Sequence, residues 1–293
     1  MPNTAADFAS ILLRAEAVLQ RLEAWLPAPA APPEWDRHIA FRWRRQGTQG
    51  WLEGIARPQI IAASQLTGID AQKQSITQNT AQFVSGKPAN NVLLTGARGT
   101  GKSSLVKAML HAYSEQGLRM IEVDKDYLAD LADITKQLIN RTERFILFCD
   151  DLSFSEDDTG YKSLKVALDG TLAAAPENVL IYATSNRRHL LPEYMHENEA
   201  TRHLNGEVHP HEATEEKVSL SERFGLWLSF YPFDQDTYLA SVAIWLESFG
   251  IKGGLAEEAR LEALQWALTR GTRSGRSAWQ FARDYAGRQT LRE

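Results

Sequence analysis

Apolar residues along this chain recur with two different periods. Five short runs, VLLT (92–95), MIEV (120–123), FILFC (145–149), VLIYAT (179–184) and LWLSFY (226–231), are largely apolar and rich in β-branched or aromatic residues. They predict buried strands. Between them, LVKAMLHAYSEQ, DYLADLADITKQLIN and YKSLKVALDGTLAAA repeat apolar positions every three to four residues and predict helices. Five strands alternating with helices predict an α/β fold, a doubly wound five-stranded parallel sheet with crossovers on both faces.

After Pro232 the strands stop. A helix is expected over 234–250, capped by Asp234, with Leu239, Val242, Ala243 and Leu246 at helical spacing and Gly250 at its end. A second is expected from about Ala256 to Arg270. A third, from about Ser274, buries Ala278, Phe281, Ala282 and Tyr285. Together they predict a small helical C-terminal domain.

The opening stretch, MPNTAADFASILLRAEAVLQRLEAWL, predicts an amphipathic helix with Phe8, Ile11, Leu12, Ala15, Leu19, Leu22 and Leu26 near one face. Asp7, Arg14, Glu16, Arg21 and Glu23 exclude a signal sequence or membrane span there. PAPAAPPEW (27–35) reads as a stiff extended linker, and an aromatic and basic piece, AFRWRR, follows it. The expected divisions are an N-terminal helix, linker and aromatic/basic segment (1–56), the α/β domain (57–232) and the helical domain (233–293).

Composition narrows the function classes. The chain has 293 residues, with 32 Lys+Arg against 37 Asp+Glu and a formal net charge of −5. That balance argues against coating nucleic acid by bulk charge and leaves a local basic patch open. The lone Cys149 cannot form an internal disulfide, so a reducing compartment, the cytoplasm, is expected. Inside an apolar run, that thiol reads as a small core residue and not as a nucleophile.

The strongest chemical signal is TGARGTGKSS, residues 95–104, which fits G-x-x-x-x-G-K-[ST] between a strand and a helix. The loop Gly96, Ala97, Arg98, Gly99, Thr100, Gly101, with Lys102, Ser103 and Ser104, is expected to cradle phosphates through backbone N–H groups and a helix N-terminus. Lys102 would reach the β/γ-phosphates, and Ser103 would ligate Mg²⁺. Asp150, first after the strand FILFC, is the second expected Mg²⁺ ligand, mainly through metal-bound water. Asp151 stands where an acid could orient or deprotonate water. Both acids could also be helix caps or solvated loop residues. ATP and Mg²⁺ are the expected ligands.

Further along, Asn186 after VLIYAT could contact a γ-phosphate or the lytic water, or be a turn residue. Arg223 in LSERFGLW is either a surface arginine or one aimed at a neighbouring subunit's phosphate. Arg273 and Arg276 lie at the start of the third C-terminal helix.

In this order these motifs resemble the AAA+ ATPase superfamily over about residues 57–293. TGIDAQK, GKPANNVLLTGARGTGKSSLVKA, FCDDLSF, TSNRRHLLPE and KVSLSERFGLWLSFYP resemble, more closely, the bacterial family described as domain of unknown function 815. The superfamily resemblance implies an ATP site at the interfaces of a homo-oligomer. It also implies Asn186 as a sensor, Arg223 as a finger acting in trans and Arg276 as a lid sensor in cis. Gly68 and Ile69 would contact adenine through the backbone. One departure matters: the usual acid pair is Asp-Glu, and aspartate is shorter by one carbon–carbon bond, about 1.5 Å. Slow hydrolysis is expected unless a partner or assembly improves the geometry.

Two functional readings follow. One is a motor-type ATPase that remodels or loads an unidentified protein or nucleic-acid partner. The other is an ATP-gated binding module in which hydrolysis only resets the assembly. A small-molecule kinase is disfavoured by the sensor-like and finger-like residues and by the helical lid. Five histidines between His189 and His211 match no zinc template, and the segment reads as a long loop open to partner contact. FRWRR (41–45) reads either as a base-stacking patch or as aromatics packed on the domain with solvated arginines.

Overall fold

A computed structural model of the protein describes residues 4–23, 31–154, 158–170, 176–187, 190 and 220–291. Two compact units are present, Met1–Pro33 and Glu34–Glu293. The first contains helix α1 (Thr4–Glu23), whose Ile11, Leu12, Leu13, Val18 and Leu19 are exposed. The expected contributions of Phe8, Leu22 and Leu26 to its face lie outside the described side chains, as does most of the Pro/Ala linker.

The second unit is built on a seven-stranded sheet. Its strands are β1 (Ala40–Gln46), β2 (Gln49–Gly54), β3 (Val92–Gly96), β4 (Leu118–Glu122), β5 (Arg144–Cys149), β6 (Val179–Ser185) and β7 (Leu226–Phe230). They lie in the order β2-β1-β4-β5-β6-β3-β7. All neighbouring pairs are parallel except β1–β2. The five expected strands form the contiguous block β4-β5-β6-β3-β7.

The side-chain alternation of a strand explains the two-sided winding. Phe145, Leu147 and Cys149 enter one core with Leu93, Ile121, Ile181 and Ala183. Ile146 and Phe148 point the other way and join Val92, Leu94, Met120 and Tyr182. A sheet apolar on both faces needs a layer on each. Helices α2 (Asp70–Val84) and α3 (Lys102–Tyr113) contribute to the second core, and α4 (Leu131–Leu138) and α5 (Thr159–Asp169) to the first.

The strand count corrects the five-stranded expectation. The segment assigned to the N-terminal piece is a hairpin in the sheet, with Ala40, Phe41 and Arg42 in register with Met120, Ile121 and Glu122. The physical reason is a period-two pattern hidden by charge. Phe41 and Trp43 are buried, whereas Arg42 pairs with Glu122 at 2.6 Å and Arg44 with Glu53 at 2.8 Å. Trp43 Nε1 donates to Asp130 Oδ2 at 2.9 Å, and Arg45 donates to Asp130 Oδ1 at 2.6 Å. The aromatics of FRWRR are therefore core residues and its arginines are paired with acids.

After β7 come α6 (Gln235–Ser248), α7 (Glu257–Thr269) and α8 (Gly275–Thr290), which bury their own core around Tyr238, Val242, Ala263, Ala278, Phe281 and Ala282. Asp234 caps α6 by accepting from Thr237 N at 2.8 Å, and Ser274 caps α8 by accepting from Ser277 N at 3.2 Å. The histidine-containing segment between Asn186 and Arg223 lies, apart from residues 187, 190 and 220–222, outside the described residues.

Candidate nucleotide site

The phosphate loop joins β3 to α3, and its glycines answer to their neighbours. Gly96 has φ 126°, and a Cβ there would lie 1.9 Å from the carbonyl oxygen of Phe230 on β7. No side chain fits between the two strand ends. Gly99 has φ 75°, and a Cβ there would lie 2.9 Å from Ser274 Oγ at the start of α8. Its carbonyl accepts from Arg276 N at 3.3 Å. A bare glycine thus lets the helical domain close on the loop.

Lys102 is 5% exposed and begins α3. Its Nζ donates to the carbonyls of Gly96 and Ala97, each at 2.8 Å, and to Asn186 Oδ1 at 3.0 Å. Burial pushes its ammonium down to about 8, against the opposing pull of Asp151 and Asp150.

The acid pair sits at the tip of β5. Ser103 Oγ donates to Asp150 Oδ1 at 2.6 Å, and Thr184 Oγ1 donates to the same oxygen at 2.5 Å. Asp151 is the one non-glycine residue with positive φ among those described, at 53°. Its N–H donates to Thr184 Oγ1 at 2.9 Å, and its Oδ1 accepts from Asn186 Nδ2. Asn186 therefore touches both Lys102 and Asp151.

These groups border a cavity of about 670 Å³. Arg98 through Ser104, Asp150, Asp151, Thr184 and Asn186 are among its lining residues. Gln65, Leu66, Thr67, Phe233, Trp245 and Trp279 also line it, and Arg276 lies in the first turn of α8. Trp279 lies three residues after Arg276, on the same helix face. Phe233, Trp245, Trp279 and Thr184 were not singled out from the sequence. The spacing from Arg276 to Trp279 was a signal that could have found one of them.

Leu66 and Thr67 border the cavity, and the next two residues follow directly: Gly68 faces Thr237 of α6, and Ile69 is buried at the start of α2, where its Cδ1 would lie 3.7 Å from a Cβ on Gly101 of the loop. Arg223 is not among the lining residues. It precedes β7, whose residues Leu226–Phe230 run beside Val92–Gly96, so about 13 Å of strand separates it from the phosphate loop. Its Nε donates to Asp169 Oδ1 at 2.5 Å. Arg223 borders instead a larger, mostly apolar cavity of about 950 Å³ near the starting ends of β3, β5 and β6. Among its described lining residues the one acid is Glu177.

Hard oxygen donors fit Mg²⁺, and Ser103 Oγ and Asp150 Oδ1 already converge on one spot. Among the described residues no group of three or more His, Cys, Asp or Glu is placed to hold a metal without other ligands. Cys149 is buried, and burial followed by the neighbouring Asp150 pushes its thiol up to about 12. It is a packing residue, as expected. No helix among the described residues is long and apolar enough to cross a membrane.

Comparison with solved structures gives the same architecture at low identity. A variant of RuvB from Thermotoga maritima matches with a TM-score of 0.51 at 17% identity, covering 76% of this chain and 63% of that one. The Aeropyrum pernix ORC1 protein, solved in complex with DNA, matches with a TM-score of 0.52 at 18% identity, covering 78% of this chain and 62% of that one. The chain thus spans less than two thirds of the length of these structures, and the shared feature is the AAA+ fold. No curated protein matches. A family model described as "Protein of unknown function (DUF815)" matches residues 36–289, nearly the whole second unit. With strand order, phosphate loop and acid pair in place, this chain belongs to the DUF815 family and has the AAA+ fold.

Proposed function

We propose that this protein is a Mg²⁺-dependent AAA+ ATPase that hydrolyses ATP at interfaces between its own subunits and uses the cycle to remodel or load a macromolecular partner. The observation that carries the reading is the convergence of Lys102, Ser103, Asp150, Asp151 and Asn186 on one cavity, joined by direct hydrogen bonds.

The ATP phosphates would take the loop N–H groups, with Lys102 exchanging its carbonyl partners for phosphate oxygens. Ser103 and Asp150 would hold Mg²⁺, which supplies charge neutralisation on the β- and γ-oxygens. The base ring would lie between Leu66, Thr67 and the tryptophans Trp245 and Trp279. Arg276 reaches the cavity from the lid in cis.

Asp151 accepts the proton as a water oxygen bonds to the γ-phosphorus and the bridging oxygen departs with ADP. Asn186 orients that water. Arg223 lies too far along the sheet to meet the phosphates of its own chain, which supports its use as a finger on a neighbouring subunit.

Binding is tested with Lys102→Ala, which should abolish ATP affinity measured by calorimetry while leaving thermal unfolding near the wild-type temperature. Undiminished ATP binding by that variant would overturn the site. A second reading, an ATP-gated module with partner-dependent hydrolysis, is favoured by the contact of Asp151 with Asn186, which engages the shorter acid.

A further inference from the structure

We infer that Thr184, assigned no part in either reading above, is the positioning residue that builds the acid pair. This rests on the nucleotide-site reading and adds a residue to it. Thr184 lies at the end of β6, between β5 with its acids and β3 with its phosphate loop. It is 1% exposed, yet its side chain carries the polar contacts that join these elements.

Its hydroxyl has one proton to give and lone pairs to receive. The proton goes to Asp150 Oδ1 at 2.5 Å, and a lone pair takes the N–H of Asp151 at 2.9 Å. The Thr184 carbonyl then accepts from Leu152 N at 2.7 Å. Three consecutive residues, Asp150 to Leu152, are thus held by one threonine, and Ser185 Oγ adds a bond to the Leu152 carbonyl at 2.7 Å.

Two consequences follow from those bonds. Asp150 Oδ1 is fixed where Ser103 Oγ also points, so two oxygens are presented together. Asp151 is held with φ at 53°, a left-handed conformation that aspartate tolerates better than most residues. That turn sets its carboxylate against Asn186. Although it borders the cavity, Thr184 is 1% exposed and its hydroxyl is engaged by Asp150 and Asp151, so it acts through the acids.

The test compares wild type, Thr184→Val, which keeps the shape and removes the hydroxyl, and Thr184→Ser, which keeps the hydroxyl. ATP affinity is measured by calorimetry across a Mg²⁺ series and in EDTA, with turnover on the same preparations. In Thr184→Val the Mg²⁺ concentration giving half the affinity gain should rise about tenfold, and turnover should fall at least as far. ATP affinity in EDTA should stay within about twofold of wild type, and Thr184→Ser should recover the wild-type Mg²⁺ midpoint. A wild-type Mg²⁺ midpoint in Thr184→Val overturns the inference, as does an equal loss in Val and Ser. If Thr184→Val does not fold, Thr184→Ala carries the same comparison. Wild-type protein that binds no ATP at any Mg²⁺ concentration overturns the nucleotide-site reading itself, so the two failures are distinct.

Discussion

Lys102 donates to Asn186 at 3.0 Å, so the lysine expected on phosphates and the amide expected beside the lytic water are joined directly. Burial of that ammonium lowers its pKa from 10.5 to about 8. Between those values the unfolded chain carries more of this proton than the folded one. Stability of the nucleotide-free protein should therefore rise with pH from about 8 towards 10.5, with Lys102's penalty fully present at lower pH. Chemical unfolding at pH 7.5, 8.5 and 9.5 measures this. The rise should shrink in Lys102→Met; an unchanged slope would refute the assignment.

Hydrolysis per subunit should increase with protein concentration, because Arg223 and the phosphate loop occupy opposite ends of the sheet. Arg223→Ala should lose turnover by about a thousandfold, as trans arginines generally do, while ATP affinity changes little. Turnover independent of concentration, with an active Arg223→Ala, would sink the shared-site model.

The left-handed backbone at Asp151 bears on the departure from an Asp-Glu pair. A longer acid at this position meets a backbone cost of about 1–2 kcal/mol before its extra reach helps. Asp151→Glu should therefore melt below wild type and give no faster turnover. Asp151→Asn, which suits the same backbone, should fold normally, retain ATP and hydrolyse it at least a hundredfold more slowly. Faster hydrolysis by the Glu variant would show that reach, and not backbone, limits the site.

Asp130 is the buried acceptor that ties the hairpin to the helical layer through Trp43 and Arg45. Asp130→Ala leaves an indole N–H without its partner and should cost about 2–3 kcal/mol in urea unfolding. Asp130→Asn keeps an acceptor for the indole and should cost less. Equal losses in the two variants would contradict this account.

Much of this was legible in residue order. The strands at 92–95, 120–123, 145–149, 179–184 and 226–231 were readable because each is a continuous apolar run, and the lid because its caps and spacing are local. The phosphate loop was readable because backbone chemistry demands glycines at fixed intervals. The hairpin was missed because arginines alternate with Phe41 and Trp43, so the charged face masked the buried one. Thr184 and Trp245 come from separate elements and border one cavity only after folding; a threonine inside an apolar strand carries no mark of its partners.

The hairpin has one more effect. Without it, β4 would be the outermost strand and would offer a row of bare N–H and C=O groups to any other chain. β1 occupies those groups, and the new border is β2, a six-residue strand with glycine at Gly50 and Gly54 and a charge at Glu53. Short, charged borders recruit foreign strands poorly. In a molecule whose proposed work requires ordered self-assembly, the hairpin guards against the disordered kind.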